Sequence, residues 1–157
     1  LIAELQAIDI LYDKGYRNVV FSLPFINDAD ELTKVKKMVK KYCKNDIKLG
    51  IFIETPSAIN EFNYMIDSGI ECAYIGTKDL TQMILACDRG NKLVSHIYNS
   101  KKRAVLSSLQ TILSVGNKRN TPVFLFSLLD DVYFYLEHLK GLKSLSICTS
   151  EYLQLFY

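Results

Sequence analysis

Tryptophan is absent, and only three prolines and seven glycines occur in 157 residues, which excludes a collagen-like or Pro/Gly-rich disordered chain. The four cysteines, Cys43, Cys72, Cys87 and Cys148, include no CxxC pair, and neither of the two histidines stands at metal-ligand spacing from them. Neither a zinc site nor a disulfide framework is therefore expected; reduced, mostly buried thiols in a cytoplasmic protein are. Neither charge sign dominates: 19 basic against 17 acidic residues give a net charge of +2, so nucleic acid and anionic membrane surfaces are not expected partners. Long apolar runs are missing too. The most apolar one, "PVFLFSLL", stops at Asp130 and Asp131, far short of the roughly 20 residues a membrane span needs. The opening "LIAELQAIDILYDKGY" carries Glu4, Asp9 and Asp13, against the charge pattern of a signal peptide. There is no GxGxxG, no P-loop, no internal repeat and no low-complexity linker.

What is present is an ordinary globular balance, 49% apolar and 23% charged, in a length that suits one core better than two. Residues 1–157 are read as a single domain. Residue 1 is Leu rather than Met, so the chain is expected to be a fragment or excised domain of something longer.

Apolar runs alternate with amphipathic segments. Leu1, Ile2, Leu5, Ile8 and Leu11 or Tyr12 mark a first helix that ends at Lys14-Gly15. Strands are expected at "NVVFSLPF", "IKLGIFIE", "ECAYIG", "PVFLFS" and "SLSIC", each rich in branched and aromatic residues. Between them come helices "NDADELTKVKKMVKKYCK", "TPSAINEFNYMIDSG" with Thr55 as N-cap and Pro56 at the first helical position, "KDLTQMILAC", "KKRAVLSSLQTILSVGNK" and "DDVYFYLEHLKG", with "SEYLQLFY" closing the chain. The lysines of "TKVKKMVKKYCK" fall opposite Val35, Met38, Val39 and Tyr42, a solvated helix face rather than a nucleic-acid surface. Buried strands alternating with helices indicate a parallel sheet covered by helices. That leaves an open doubly wound sheet or part of a (β/α)₈ barrel, and both put ligand groups at the carboxyl ends of the strands.

Two carboxylates sit at such ends: Glu54 after "GIFI" and Asp79 after "YIGTK". Carboxylates from successive strand ends suit a hard divalent cation such as Mg²⁺, with water and substrate completing the coordination. They would equally serve as first-turn acids of the helices that follow.

"NVVFSLPFINDADEL", "GIFIETPSAI", "YIGTKDLTQMILACDRGN" and "LVSHIYNSKKRAVL" together resemble, in order and with compatible spacing, the C-terminal phosphoenolpyruvate-binding barrel of the phosphoenolpyruvate-utilising enzymes. The likeness to phosphoenolpyruvate synthase is strongest, with "DRGN" more similar to enzyme I of the sugar phosphotransferase system. The resemblance implies an α/β fold corresponding to about five βα units at the C-terminal end of a (β/α)₈ barrel. It implies Mg²⁺ on Glu54 and Asp79, and Arg89 holding the substrate phosphate through its planar, permanently charged guanidinium. The implied activity is Mg²⁺-dependent phosphoryl transfer between phosphoenolpyruvate or pyruvate and a phosphohistidine domain, in a homodimer.

The chain departs from that pattern at three places. Lys78 stands where the family's metal turn has Asn, adding a cation that is expected to touch the substrate. Leu125 and Phe126 fall about where the family places a Cys-Gly proton-donor turn, and neither can deliver a proton. The arginines of the second and third barrel strands and the phosphohistidine context have no counterpart; His96 and His138 are read as partly exposed polar residues. The isolated chain is therefore expected not to turn over. The alternatives are a degenerate barrel fragment serving as a binding or dimerisation module, and a pyruvate-enolate lyase of the citrate lyase type, against which "DLTQ" and "DRGN" argue.

Overall fold

The computed structural model describes residues 1–147 and Tyr152. Five parallel strands form one sheet in the order β1-β2-β3-β4-β5. They are β1 (Phe21–Leu23), β2 (Leu49–Ile53), β3 (Cys72–Gly76), β4 (Val123–Phe126) and β5 (Leu145–Ser146). The α-helices among the described residues are α1 (Ile2–Asp13), α2 (Ala29–Tyr42), α3 (Pro56–Asp67), α4 (Thr77–Leu85), α5 (Arg103–Arg119) and α6 (Leu129–His138), with a 3₁₀ turn at Ser95–Ile97. The closing helix and Cys148 lie outside the described residues, Tyr152 apart. Sequential strand order with a helix between neighbours is the open form of a (β/α)₈ wall, with β1 and β5 as its edges. Among the described residues no helix is long and apolar enough to cross a membrane.

Local chemistry sets the helix starts. Asp28 accepts the Glu31 N–H at 2.7 Å, and the Glu31 carboxylate reaches back to the Asn27 N–H at 2.8 Å, satisfying two donors at the head of α2. Thr55 caps α3 by accepting from the Ala58 N–H at 3.2 Å, with Pro56 in the first turn. Its hydroxyl also donates to Asn27 Oδ1 at 2.8 Å, which ties the rim after β1 to the rim after β2. At the opposite end of the sheet, Asp9 on α1 accepts the Lys44 N–H at 3.0 Å and the Asn45 N–H at 2.9 Å.

Strand alternation gives the sheet two different faces. Ile51, Ile53, Ala73, Ile75 and Leu125 are fully buried toward the helices, where Phe62, Met65, Leu109 and Ile112 close the core. Each of these side chains except the single methyl of Ala73 contributes roughly 1.5–3 kcal/mol of transfer free energy. A Cβ on Gly116 of α5 would lie 2.3 Å from Val123 Cγ2, so this glycine is what lets α5 rest directly on β4. On the other face the register stacks three layers. Ser22, Gly50 and Cys72 lie level at the base. Phe52, Tyr74 and Phe124 lie level above them, with ring centroids 5.0 Å apart for Phe52–Tyr74 and 5.2 Å for Tyr74–Phe124. Gly76, Phe126 and Ser146 form the rim.

Candidate functional site

The rim opens into a cavity of about 350 Å³ at the carboxyl ends of β2, β3 and β4, where a sheet of this type presents its ligand groups. Glu54, Lys78 and Asp79 line it together with Phe52, Phe126 and Leu128. Glu54 directly follows β2 and is 7% exposed. Its Oε2 accepts the backbone N–H of Phe25 at 3.0 Å. Phe25 lies just beyond β1 with φ at 50°, a left-handed conformation uncommon for a residue with a side chain. Glu54 does not cap α3, since Thr55 holds that position.

Asp79 lies in the first turn of α4, whose N-cap residue is Gly76 with no side-chain cap. That helix end presents its free backbone N–H groups and the positive end of its dipole at the cavity. Thr77, in the same turn, donates its hydroxyl to the Phe126 carbonyl at 2.6 Å and so fixes the end of β3 to the end of β4.

Electrostatically the two carboxylates are unequal. Burial pushes the Glu54 carboxyl above the usual 4.5; the Phe25 N–H works against that shift and the Asp79 charge adds to it. Asp79 has a partner of its own. Arg89 places a guanidinium nitrogen 3.3 Å from Asp79 Oδ1, while its backbone N–H donates to Gln82 Oε1 at 2.8 Å. Burial pushes the neighbouring Tyr98 phenol up, with the Arg89 charge acting in the opposite direction.

The structure thus brings Glu54, Lys78 and Asp79 to one cavity and attaches Arg89 to its edge through Asp79. Leu125 is elsewhere: it is fully buried on the helix face, and the side chain presented at that strand end is Phe126. Phe52, Gly76 and Leu128 escaped the sequence reading. The period-two pattern points to the first, because Phe52 stands two residues before Glu54 and shares its face. Among the described residues no group of three or more His, Cys, Asp or Glu converges as a metal cage. Two neighbouring carboxylates nevertheless fit Mg²⁺, which usually takes only one or two from the protein and keeps several waters.

The parallel, sequentially ordered sheet with its acidic rim defines a partial (β/α)₈ barrel, and solved structures bear out that fold. A HpcH/HpaI aldolase/citrate lyase family protein from Burkholderia cenocepacia superposes with a TM-score of 0.66 at 12% identity, covering 97% of this chain and 66% of that one. The HpcH/HpaI aldolase of Desulfitobacterium hafniense gives 0.63 at 12% identity, covering 97% and 65%. At such identity the likeness concerns the fold alone. Sequence is more specific: residues 2–133 match the family described as "PEP-utilising enzyme, PEP-binding domain", and the chain belongs to that family.

The relatives include proteins of two kinds. The chain is 37% identical over 122 residues to a probable phosphoenolpyruvate synthase of Methanocaldococcus jannaschii, covering 75% of this chain and 10% of that protein. To the probable phosphoenolpyruvate synthase of Archaeoglobus fulgidus it is 36% identical over 115 residues, covering 72% and 15%. To a phosphoenolpyruvate-protein phosphotransferase of Buchnera aphidicola it is 35% identical over 126 residues, covering 74% and 22%. The alignments thus span about a tenth to a fifth of these relatives' length.

Proposed function

We propose that the chain is the phosphoenolpyruvate- and pyruvate-binding part of a phosphoenolpyruvate synthase-like phosphotransferase, with Mg²⁺ held by Glu54 and Asp79. The observation that carries this reading is the convergence of two carboxylates from successive strand ends on one cavity, beside Lys78. When bound, the cation supplies positive charge to the enolate oxygen and the phosphoryl group. Phe25 orients Glu54 through its backbone N–H. Arg89 and Lys78 provide the anion-binding charge, and an incoming phosphate competes with Asp79 for the Arg89 guanidinium. A phosphohistidine domain is the proposed phosphoryl partner. The free thiols Cys43, Cys72 and Cys87 suit a reducing, cytoplasmic setting. Residues 1–157 are proposed to act as one domain and to self-associate through β1 and β5, the edge strands of the sheet among the described residues.

Turnover by this chain alone is not part of the proposal, because Phe126 offers no proton at the rim where it meets the cavity. That residue also favours a second reading, a non-catalytic binding or dimerisation module. Calorimetric titration of Mg²⁺, then of phosphoenolpyruvate with and without Mg²⁺, tests both on wild type and Glu54→Gln. Metal-dependent binding lost in the variant is the expected result. A well-folded protein that binds neither overturns the binding role and leaves the module reading.

A further inference from the structure

The cavity has a second wall made of hydrocarbon. The Phe126 ring lies 5.6 Å from Phe52 in a tilted pair and 5.6 Å from Tyr74 edge-on. Its two partners are themselves stacked at 5.0 Å, so Phe126 is held in place by its neighbours. Even so it remains 37% exposed, and it lines the cavity together with Phe52 and Leu128. Opposite charge character is confined to Glu54, Lys78 and Asp79. A volume of about 350 Å³ falls within the 300–1,000 Å³ range of small-molecule sites, whose apolar walls bind a ligand's body while a few polar groups orient it. Pyruvate and phosphoenolpyruvate have one carbon beyond their polar atoms and would leave this wall against water.

We infer that the site prefers, over pyruvate and phosphoenolpyruvate themselves, a 2-oxo acid or its enol phosphate that carries an apolar substituent on C3, above all a planar ring. Its carboxylate and oxo oxygens face the Glu54–Asp79 side, and the substituent lies against Phe126, Phe52 and Leu128. Phe126 is then the specificity-determining residue. This inference rests on the metal-carboxylate reading proposed above.

The test is calorimetric titration of phenylpyruvate and of pyruvate at saturating Mg²⁺ into wild type, Phe126→Ala and Glu54→Gln, with far-ultraviolet circular dichroism as the folding check. Phenylpyruvate is expected to bind wild type about tenfold or more tighter than pyruvate, the scale of burying one aromatic ring. Phe126→Ala brings that ratio close to one by weakening phenylpyruvate far more than pyruvate, and Glu54→Gln abolishes both. Phe126→Leu replaces the alanine variant if the latter does not fold, and is expected to reduce the ratio without erasing it. Equal affinities in wild type, or a ratio left unchanged by Phe126→Ala or by Phe126→Leu in its place, overturn the inference while leaving the metal-carboxylate site intact. Absence of binding by either acid in folded wild type overturns both together.

Discussion

The carboxylate of Glu54 lies so close over Gly76 that a Cβ on that glycine would sit 2.6 Å from Oε1 and 2.7 Å from Cγ. Gly76 has an ordinary φ of −79°, so the constraint is one of space alone. Gly76→Ala is therefore expected to fold, to lose about 1–3 kcal/mol of stability through overpacking, and to displace Glu54 from its bond with Phe25. Mg²⁺ affinity should fall at least about tenfold, the scale of a lost oriented ligand. Urea denaturation and calorimetry measure the two effects separately.

Two carboxylates respond oppositely to pH. Glu54 is raised above its ordinary value of 4.5, chiefly by burial; the folded state therefore holds its proton more tightly, and stability falls as pH rises from 4.5 through the raised value. Glu54→Gln should thus be more stable than wild type at neutral pH, with the advantage fading below about pH 4.5. Asp9 is lowered from 3.8, chiefly by the Lys44 N–H and the Asn45 side chain. Its contribution is full above 3.8 and disappears as pH falls through the lowered value, so Asp9→Asn should lose stability at neutral pH and match wild type in acid. Chemical denaturation across pH 2–8 checks both signs.

Thr55 performs two tasks at once, capping α3 and donating to Asn27. Thr55→Val should cost about 1–2 kcal/mol. It should also speed hydrogen exchange at Asn27 and Glu31, where the rim is tied down, which a loss confined to α3 would not do.

Arg89 pairs with Asp79 at 3.3 Å. Arg89→Ala should tighten Mg²⁺ binding alone by up to about fivefold, the range of a partly exposed ion pair, while weakening phosphoenolpyruvate. Opposite signs for the two ligands, read in one titration series, distinguish this from general loosening of the loop.

Much of this was legible beforehand. All five strands and the helices between them stand where the apolar runs indicated, because a buried strand cannot disguise its composition. Strand limits were not legible: "NVVFSLPF" yields only Phe21–Leu23, since the Val19 carbonyl accepts the Tyr12 hydroxyl and Pro24 has no N–H to give a ladder. Glu54 and Asp79 were visible as carboxylates at strand ends. The Arg89–Asp79 pair and the approach of Glu54 to Gly76 were not: the first depends on how the loop after α4 folds back onto that helix, the second on how β2 lies beside β3. Which of Leu125 and Phe126 meets the cavity was not legible either: the two stand on opposite faces of β4, and it is Phe126 that lines the cavity.

Core and rim should differ sharply under truncation. Phe62→Ala, fully buried between helix and sheet, is expected to cost about 3–5 kcal/mol. Phe126→Ala, partly exposed, should cost about 1 kcal/mol, the average for a substitution. Parallel denaturation curves of the two variants provide the comparison.

That contrast follows from the alternation of side chains along β2, β3 and β4, and it has an evolutionary meaning. Residues that secure the architecture and residues that line the cavity occupy interleaved positions on the same few strands and face opposite sides of the sheet. Such a chain can exchange its ligand vocabulary, a lysine here or a phenylalanine there, without renegotiating its fold. Homology in this family is therefore expected to outlast chemistry, and kinship read from the helix-facing residues will predict shape long after it has ceased to predict substrate.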